Sequence, residues 1–298
     1  MIKKILSLIL IGATVGMISC SNTQTESESA NESAKEQTIK IVSGTVAATQ
    51  VMDKLELDLV GVPTTQSTLP ERYTGVTEIG QAFSPNFETV VSLAPDLVVF
   101  DSNFKDKVSE QVSQYNLNTF YFDTTSFTNF KESIVKLGEV TDREEKAQEL
   151  ANTLQESVDK VLEKSSKDKS DIKVAIIFGS AESFMLATDT SYIGDLVNTI
   201  SVDNITDTIE GVDSEYINFS LEQIVKDNPD YILRFSHGDI EAAKKAFDDE
   251  FANNPAWQAL DAVKNGKVYD LDPTIFGVAA NLKVTEAIEE LGNIIYGE

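Results

Sequence analysis

A single cysteine and a single histidine occur in 298 residues. One thiol cannot close a disulfide within the chain or build a Cys-x-x-Cys centre, and one imidazole excludes mechanisms that need two, most zinc-hydrolase chemistry among them. Positive charge is also scarce. Against 49 Asp+Glu stand 24 Lys+Arg, a formal net charge of −25, so a phosphate backbone is a poor partner and no nucleic-acid binding is expected. No Gly-x-Gly-x-x-Gly, Gly-x4-Gly-Lys-Ser/Thr or His-Glu-x-x-His string occurs, which leaves dinucleotide, nucleoside triphosphate and zincin readings without support. No pair of titratable groups with acid and base roles stands out either, so the chain is not expected to be an enzyme. What is present, 41% hydrophobic and 24% charged residues, is the balance of a soluble globular protein of one or two domains.

One apolar run stands apart. Lys3 and Lys4 precede Ile5 to Ile18, too short for a permanent membrane helix but suited to a signal-peptide core. The string that ends it, Met17-Ile18-Ser19-Cys20, resembles the lipobox of bacterial lipoproteins. That resemblance implies a signal peptide over 1–19 and cleavage before Cys20. Cys20 would then carry diacylglycerol, with a further acyl chain such as palmitate on its new amine. Residues 20–37 contain no large apolar side chain beyond the acylated Cys20 and read as a flexible tether. The folded part is therefore expected on the extracellular face of the cell membrane, held by lipid and not by a span.

From Thr38 onward short apolar strands alternate with amphipathic helical patterns, which predicts an α/β fold. Ile39 to Val42, Leu59 to Val62, Leu97 to Phe100 and Thr119 to Phe122 form one strand series; Lys173 to Phe178, Tyr231 to Phe235 and Lys267 to Leu271 form a second. Between them Ala147, Leu150, Ala151, Leu154, Val158, Val161 and Leu162 make the stripe of one helix, in a stretch without Gly or Pro. The expected organisation is an N-terminal lobe over 38–141, a linking helix over 142–169 and a C-terminal lobe over 170–298. A helix of about 24 residues would be roughly 36 Å long, a stiff rod that resists wide hinge motion.

The two series share an internal echo. Glu88 is followed seven positions on by Pro95-Asp96 and the strand Leu97-Val98-Val99-Phe100; Glu222 is followed seven positions on by Pro229-Asp230 and Tyr231-Ile232-Leu233. A residue before proline is biased away from helical angles, so each Pro-Asp pair marks a helix-to-strand joint.

Together with the lipobox, the linking helix and the segment Ala187-Thr188-Asp189-Thr190-Ser191-Tyr192-Ile193-Gly194-Asp195-Leu196, this echo resembles the substrate-binding lipoproteins of iron-siderophore, haem and cobalamin ABC importers. Within that group the chain is most similar to the Isd-type haem receptors. The strings that carry this are Leu57-Asp58-Leu59-Val60-Gly61, Glu78-Ile79-Gly80-Gln81, Leu233-Arg234-Phe235-Ser236-His237-Gly238 and Val268-Tyr269-Asp270-Leu271. The resemblance implies two Rossmann-like lobes with a ligand cleft between them, haem b as cargo, an ABC permease as partner and a surface haem donor protein. A ferric siderophore or a corrinoid is the alternative cargo.

Carried over residue by residue, the resemblance makes His237 the axial ligand of the haem iron. It sets Phe83 where those receptors have a methionine, and Phe83 cannot coordinate iron. Val46 and Ala47 would offer backbone N–H groups to a propionate at the start of the first helix, with Thr65 and Gln66 as donors on the next loop. Haem is a large apolar plane, so Phe83 against the ring face and Tyr192 and Phe276 in the wall are the aromatic candidates. Met52 and Met185 sit in apolar strings and read as core. Only Arg72, Arg143 and Arg234 are present, few for a strongly anionic siderophore, which favours haem. By resemblance Glu88 and Glu222 would engage the permease, one from each lobe.

Overall fold

The computed structural model describes residues 39–165, 172–180, 182–218, 220–236 and 239–297. The expected signal peptide, Cys20, the expected tether and His237 lie outside the described residues.

The N-terminal strands β1 (Ile41–Ser43), β2 (Leu59–Val62) and β3 (Thr77–Glu78), the hairpin strands β4 (Gly80–Gln81) and β5 (Ser84–Pro85), and β6 (Leu97–Asp101) and β7 (Thr119–Phe122) alternate with helices α1 (Val46–Lys54), α2 (Phe87–Ser92), α3 (Lys105–Gln114) and α4 (Phe127–Val140). Five of the strands make a parallel sheet in the order β3-β2-β1-β6-β7. Every residue of β1 and β6 is buried, as expected where crossover helices cover both faces of a parallel sheet. The strand expected from Ile39 begins at Ile41.

Helix α5 (Glu144–Lys164) follows, and its 21 residues span roughly 32 Å. Among the described residues the helix occupies Glu144–Lys164 of the stretch 142–169. Of the stripe read from the sequence, Ala147, Ala151, Leu154, Val158 and Val161 are buried, while Leu150 and Leu162 are half-buried. Gly138 on α4 permits close approach, since a Cβ there would sit 2.3 Å from the Ala147 Cβ.

The C-terminal part contains β8 (Lys173–Gly179), β9 (Phe184–Ala187), α6 (Tyr192–Thr199), β10 (Asp203–Asn204), β11 (Tyr216–Ile217), α7 (Leu221–Asp227), β12 (Tyr231–Ser236), α8 (Ile240–Asn253), α9 (Pro255–Ala259), α10 (Asp261–Lys264), β13 (Val268–Asp270) and α11 (Val284–Tyr296). The sheet order is β11-β9-β8-β12-β13, with β10 on β8. Parallel pairing holds through β8, β12 and β13, whereas β9 runs antiparallel to β8, a hairpin the alternation reading did not include. Helix α5 packs on α4 from the first lobe and α11 from the second. One apolar cluster runs through both, from Ile41 and Phe130 to Leu233 and Ile288.

The Pro-Asp echo has a structural counterpart in each lobe. Ala94 and Asn228, the residues before the prolines, are left-handed at φ +48° and +41°, which stops α2 and α7. The Asp96 carboxylate then accepts the Lys40 N–H at 2.8 Å while its own N–H donates to the Lys40 carbonyl at 2.9 Å. Asp230 repeats both bonds with Lys173 at 3.0 and 2.8 Å. Each pair fastens a helix-strand joint to the start of a central strand, β1 in one lobe and β8 in the other.

Candidate functional site

Helix α1 starts where β1 ends. Gly44 makes the turn because any Cβ there would meet the Phe100 ring at 2.4 Å. Thr45 caps the helix, its hydroxyl accepting the Ala48 N–H at 3.2 Å. The hydroxyl of Thr49 braces the turn by donating to the Thr45 carbonyl at 2.6 Å. The Val46 and Ala47 N–H groups make no hydrogen bond among the described residues. They are free donors at the positive end of a helix dipole.

These two residues line a cavity of about 580 Å³ that both lobes build. The size suits a small-molecule site. The N-terminal lobe adds Gln50, Ser67, Thr68, Ala82, Asp101 and Thr124; the C-terminal lobe adds Thr274 and the Gly277–Lys283 segment. That segment is tied across the cleft by the Ala280 N–H, which donates to the Thr124 carbonyl at 2.9 Å.

Asp101, at the end of β6, is the acid in the lining and Lys283 the base. The buried Asp101 carboxylate accepts the Thr124 hydroxyl at 2.8 Å and the Asn103 N–H at 2.9 Å. Burial pushes its pKa up, and these bonds pull it part of the way back. Nothing among the described residues groups His, Cys, Asp and Glu side chains into a metal site. A larger hollow of about 820 Å³ along α4 and α5 is edged by Glu139, Glu144, Glu145, Glu149 and Glu156. Such a surface repels carboxylates and does not suit the cargo considered above.

The other expected positions divide. Phe83 is 53% exposed beside Ala82, at the tip of the β4–β5 hairpin, and Val278 across the cleft is also 53% exposed. Thr65 and Gln66 are exposed and lie just before the lining residues Ser67 and Thr68; the Thr65 hydroxyl accepts the Ser67 N–H at 3.0 Å. Tyr192 and Phe276 require correction: neither lines the cavity, and both belong to the core at 3% and 1% exposure. Tyr192 opens α6 facing inward, where burial raises its hydroxyl pKa far above the usual range. Met52 is fully buried and Met185 half-buried, in keeping with packing roles. Glu88 and Glu222 are exposed on α2 and α7, away from the lining. His237 lies outside the described residues, one position beyond the end of β12.

Sequence reasoning missed Asp101, Thr124, Val278, Asn281 and Lys283. They sit at strand ends and in loops, where hydrophobic periodicity carries no signal. No helix among the described residues is long and apolar enough to cross a membrane.

The periplasmic binding protein family matches residues 41–275. Over 295 residues the chain is 39% identical to the high-affinity heme uptake system protein IsdE of Staphylococcus aureus (strain MRSA252), covering 99% of this chain and 98% of that protein. Among solved structures, an ABC transporter substrate-binding protein from Listeria monocytogenes EGD-e superposes with a TM-score of 0.78 at 36% identity, covering 87% of this chain and 99% of that one. S. aureus IsdE complexed with heme does so at 0.73 and 40% identity, with the same coverage.

Proposed function

Because the chain belongs to the periplasmic binding protein family, we propose that it is the receptor of an ABC importer, capturing haem outside the cell and handing it to a permease. The observation that carries this reading is the cavity between the lobes. Ala82 and Val278 line it from the two lobes, with the exposed Phe83 adjoining Ala82 in the chain, and Val46 and Ala47, whose N–H groups are free among the described residues, belong to the same lining. An apolar plane with carboxylates on one edge needs that combination. The similarity to IsdE supports haem in particular. Among the described residues a single base lines the cavity, which disfavours a polyanionic siderophore.

In this reading His237, the residue that follows β12 in the sequence, is the iron ligand, since open α/β sheets take their ligands at the C-terminal ends of strands. Phe83 covers the opposite face without bonding to iron. Cys20 holds the protein to the extracellular face through lipid, and a surface donor protein supplies the haem. The chain performs no chemistry on its cargo. Glu88 and Glu222 dock the permease. Each has an exposed valine one helical turn further on, Val91 at 39% and Val225 at 38% exposure, so the two lobes present like faces to a partner of two like halves.

Titrating the purified protein with haem, a ferric hydroxamate and cobalamin tests the reading by absorption. Saturable binding of haem well ahead of the other two is expected, and tighter binding of either competitor would overturn it. His237→Ala is expected to weaken retention and shift the haem absorption band.

A further inference from the structure

We infer that Lys283 is the charged anchor for a carboxylate of the cargo, reaching into the cleft from the C-terminal lobe. The inference rests on the haem reading and adds the residue that would distinguish the acid from its ester.

Among the described residues that line the cavity, Lys283 is the only base. Its ammonium donates to the Thr274 carbonyl at 2.7 Å, which occupies one of three N–H donors. Among the described residues it forms no ion pair, although the chain carries about twice as many acids as bases. Of the nearby acids, Asp101 in the lining is bound by Thr124 and Asn103. Asp272 accepts the Thr274 N–H at 2.8 Å and is close enough to feel the Lys283 charge, which helps hold its carboxyl below the usual range, but it makes no hydrogen bond to the ammonium. Two ammonium donors are therefore left for a ligand.

The backbone that carries Lys283 is fixed. Its own N–H donates to the Asn281 side-chain oxygen at 2.8 Å, immediately before α11, and the Ala280 bond to Thr124 holds the preceding turn against the other lobe. An ammonium at the end of a flexible stem on a fixed base can meet a carboxylate without distorting the fold.

Geometry gives the anchor a counterpart. Val46 and Ala47, whose N–H groups are free among the described residues, line the same cavity from the N-terminal lobe. Haem carries two carboxylates on one edge, so one lobe supplies helix amides and the other supplies a cation. A ligand held from both sides favours the closed arrangement, and one without carboxylates loses both contacts.

The test compares haem with haem dimethyl ester, for the full chain and for Lys283→Met and Lys283→Arg. Lys283 is exposed, so neither substitution is expected to move the melting temperature. Lys283→Met is expected to weaken haem about tenfold and leave the ester unchanged, whereas Lys283→Arg keeps haem binding near that of the parent. An equal loss for acid and ester, or no loss for either, would overturn the anchor while leaving the haem reading intact. Failure of the parent protein to bind haem at all would remove that reading and the anchor with it.

Discussion

The Asp195 carboxylate accepts the backbone N–H of Phe127 at 2.6 Å, so an acid from the C-terminal lobe caps the first turn of α4 in the N-terminal lobe. Burial raises the pKa of this carboxyl, and the Phe127 bond pulls it back only in part. The bond and the shared core tie the two lobes together at this junction.

A pH dependence follows with a definite sign. The folded state holds the Asp195 proton more tightly than the unfolded chain does, so this group opposes folding when ionised. The opposition is relieved as pH falls through the raised folded pKa toward the ordinary aspartate value of about 3.9. Asp195→Asn keeps an acceptor and removes the charge. Melting measured between pH 7.5 and pH 4.5 is expected to show a flatter pH slope in this variant, and an unchanged slope would refute the assignment. Asp195→Ala is expected to cost about 1–2 kcal/mol through the lost cap.

Arg234 is the buried cation of the second lobe. Its guanidinium donates twice to Asp270, both at 2.7 Å, and once to Asp248 at 3.1 Å, between the rings of Phe247 and Phe251. Burial alone would raise the Asp270 pKa, but the bonds from Arg234 and Lys244 outweigh it and leave the carboxyl below its usual range. Its stabilisation is therefore present above pH about 4 and lost as pH falls through the depressed value. Arg234→Met is expected to cost about 2 kcal/mol at pH 7 by chemical denaturation, with a smaller deficit near pH 3. A deficit that does not change with pH would remove the ion pair as its cause.

The duplicated clamps are expected to respond alike. Asp96→Ala and Asp230→Ala each remove the acceptor for one strand-initiating N–H, at a cost of about 1–2 kcal/mol. Ala94→Gly is expected to stabilise by up to about 1 kcal/mol, because alanine at φ +48° is strained where glycine is not. Thermal melts of the three variants decide this, and a destabilised Ala94→Gly would contradict the strain argument.

Phe83 leaves one face of the proposed cargo without a ligand atom. Bound ferric haem is expected to be five-coordinate or water-ligated and largely high-spin, and Phe83→Met is expected to shift it toward low spin. A low-spin spectrum for the unsubstituted protein would require a second protein ligand that the reading does not contain.

The docking proposal separates from ligand binding. Converting Glu88 and Glu222 together to Lys is expected to stop uptake through the permease while haem affinity stays within about twofold, since both lie outside the cavity lining. Loss of affinity in the double variant would place them in the wrong role.

The sequence alone determined strands β1, β2, β6 and β7 of the first sheet and β8, β12 and β13 of the second, with the helical stripe of α5 and the twin Pro-Asp joints, because burial along one element writes its period into the residues of that element. One histidine and one cysteine also exclude a site of two imidazoles or a disulfide built within this chain alone. Only the tertiary structure decided which residues meet across the cleft. Tyr192 and Phe276 were drawn into the core because apolar rings gain most from full burial. Val278, Asn281 and Lys283 came instead to the cavity from a loop without period. Contacts such as Asp195 with Phe127 or Ala280 with Thr124 join positions far apart along the chain. Their partners are fixed by how two sheets pack around a shared helix, and no local pattern records that.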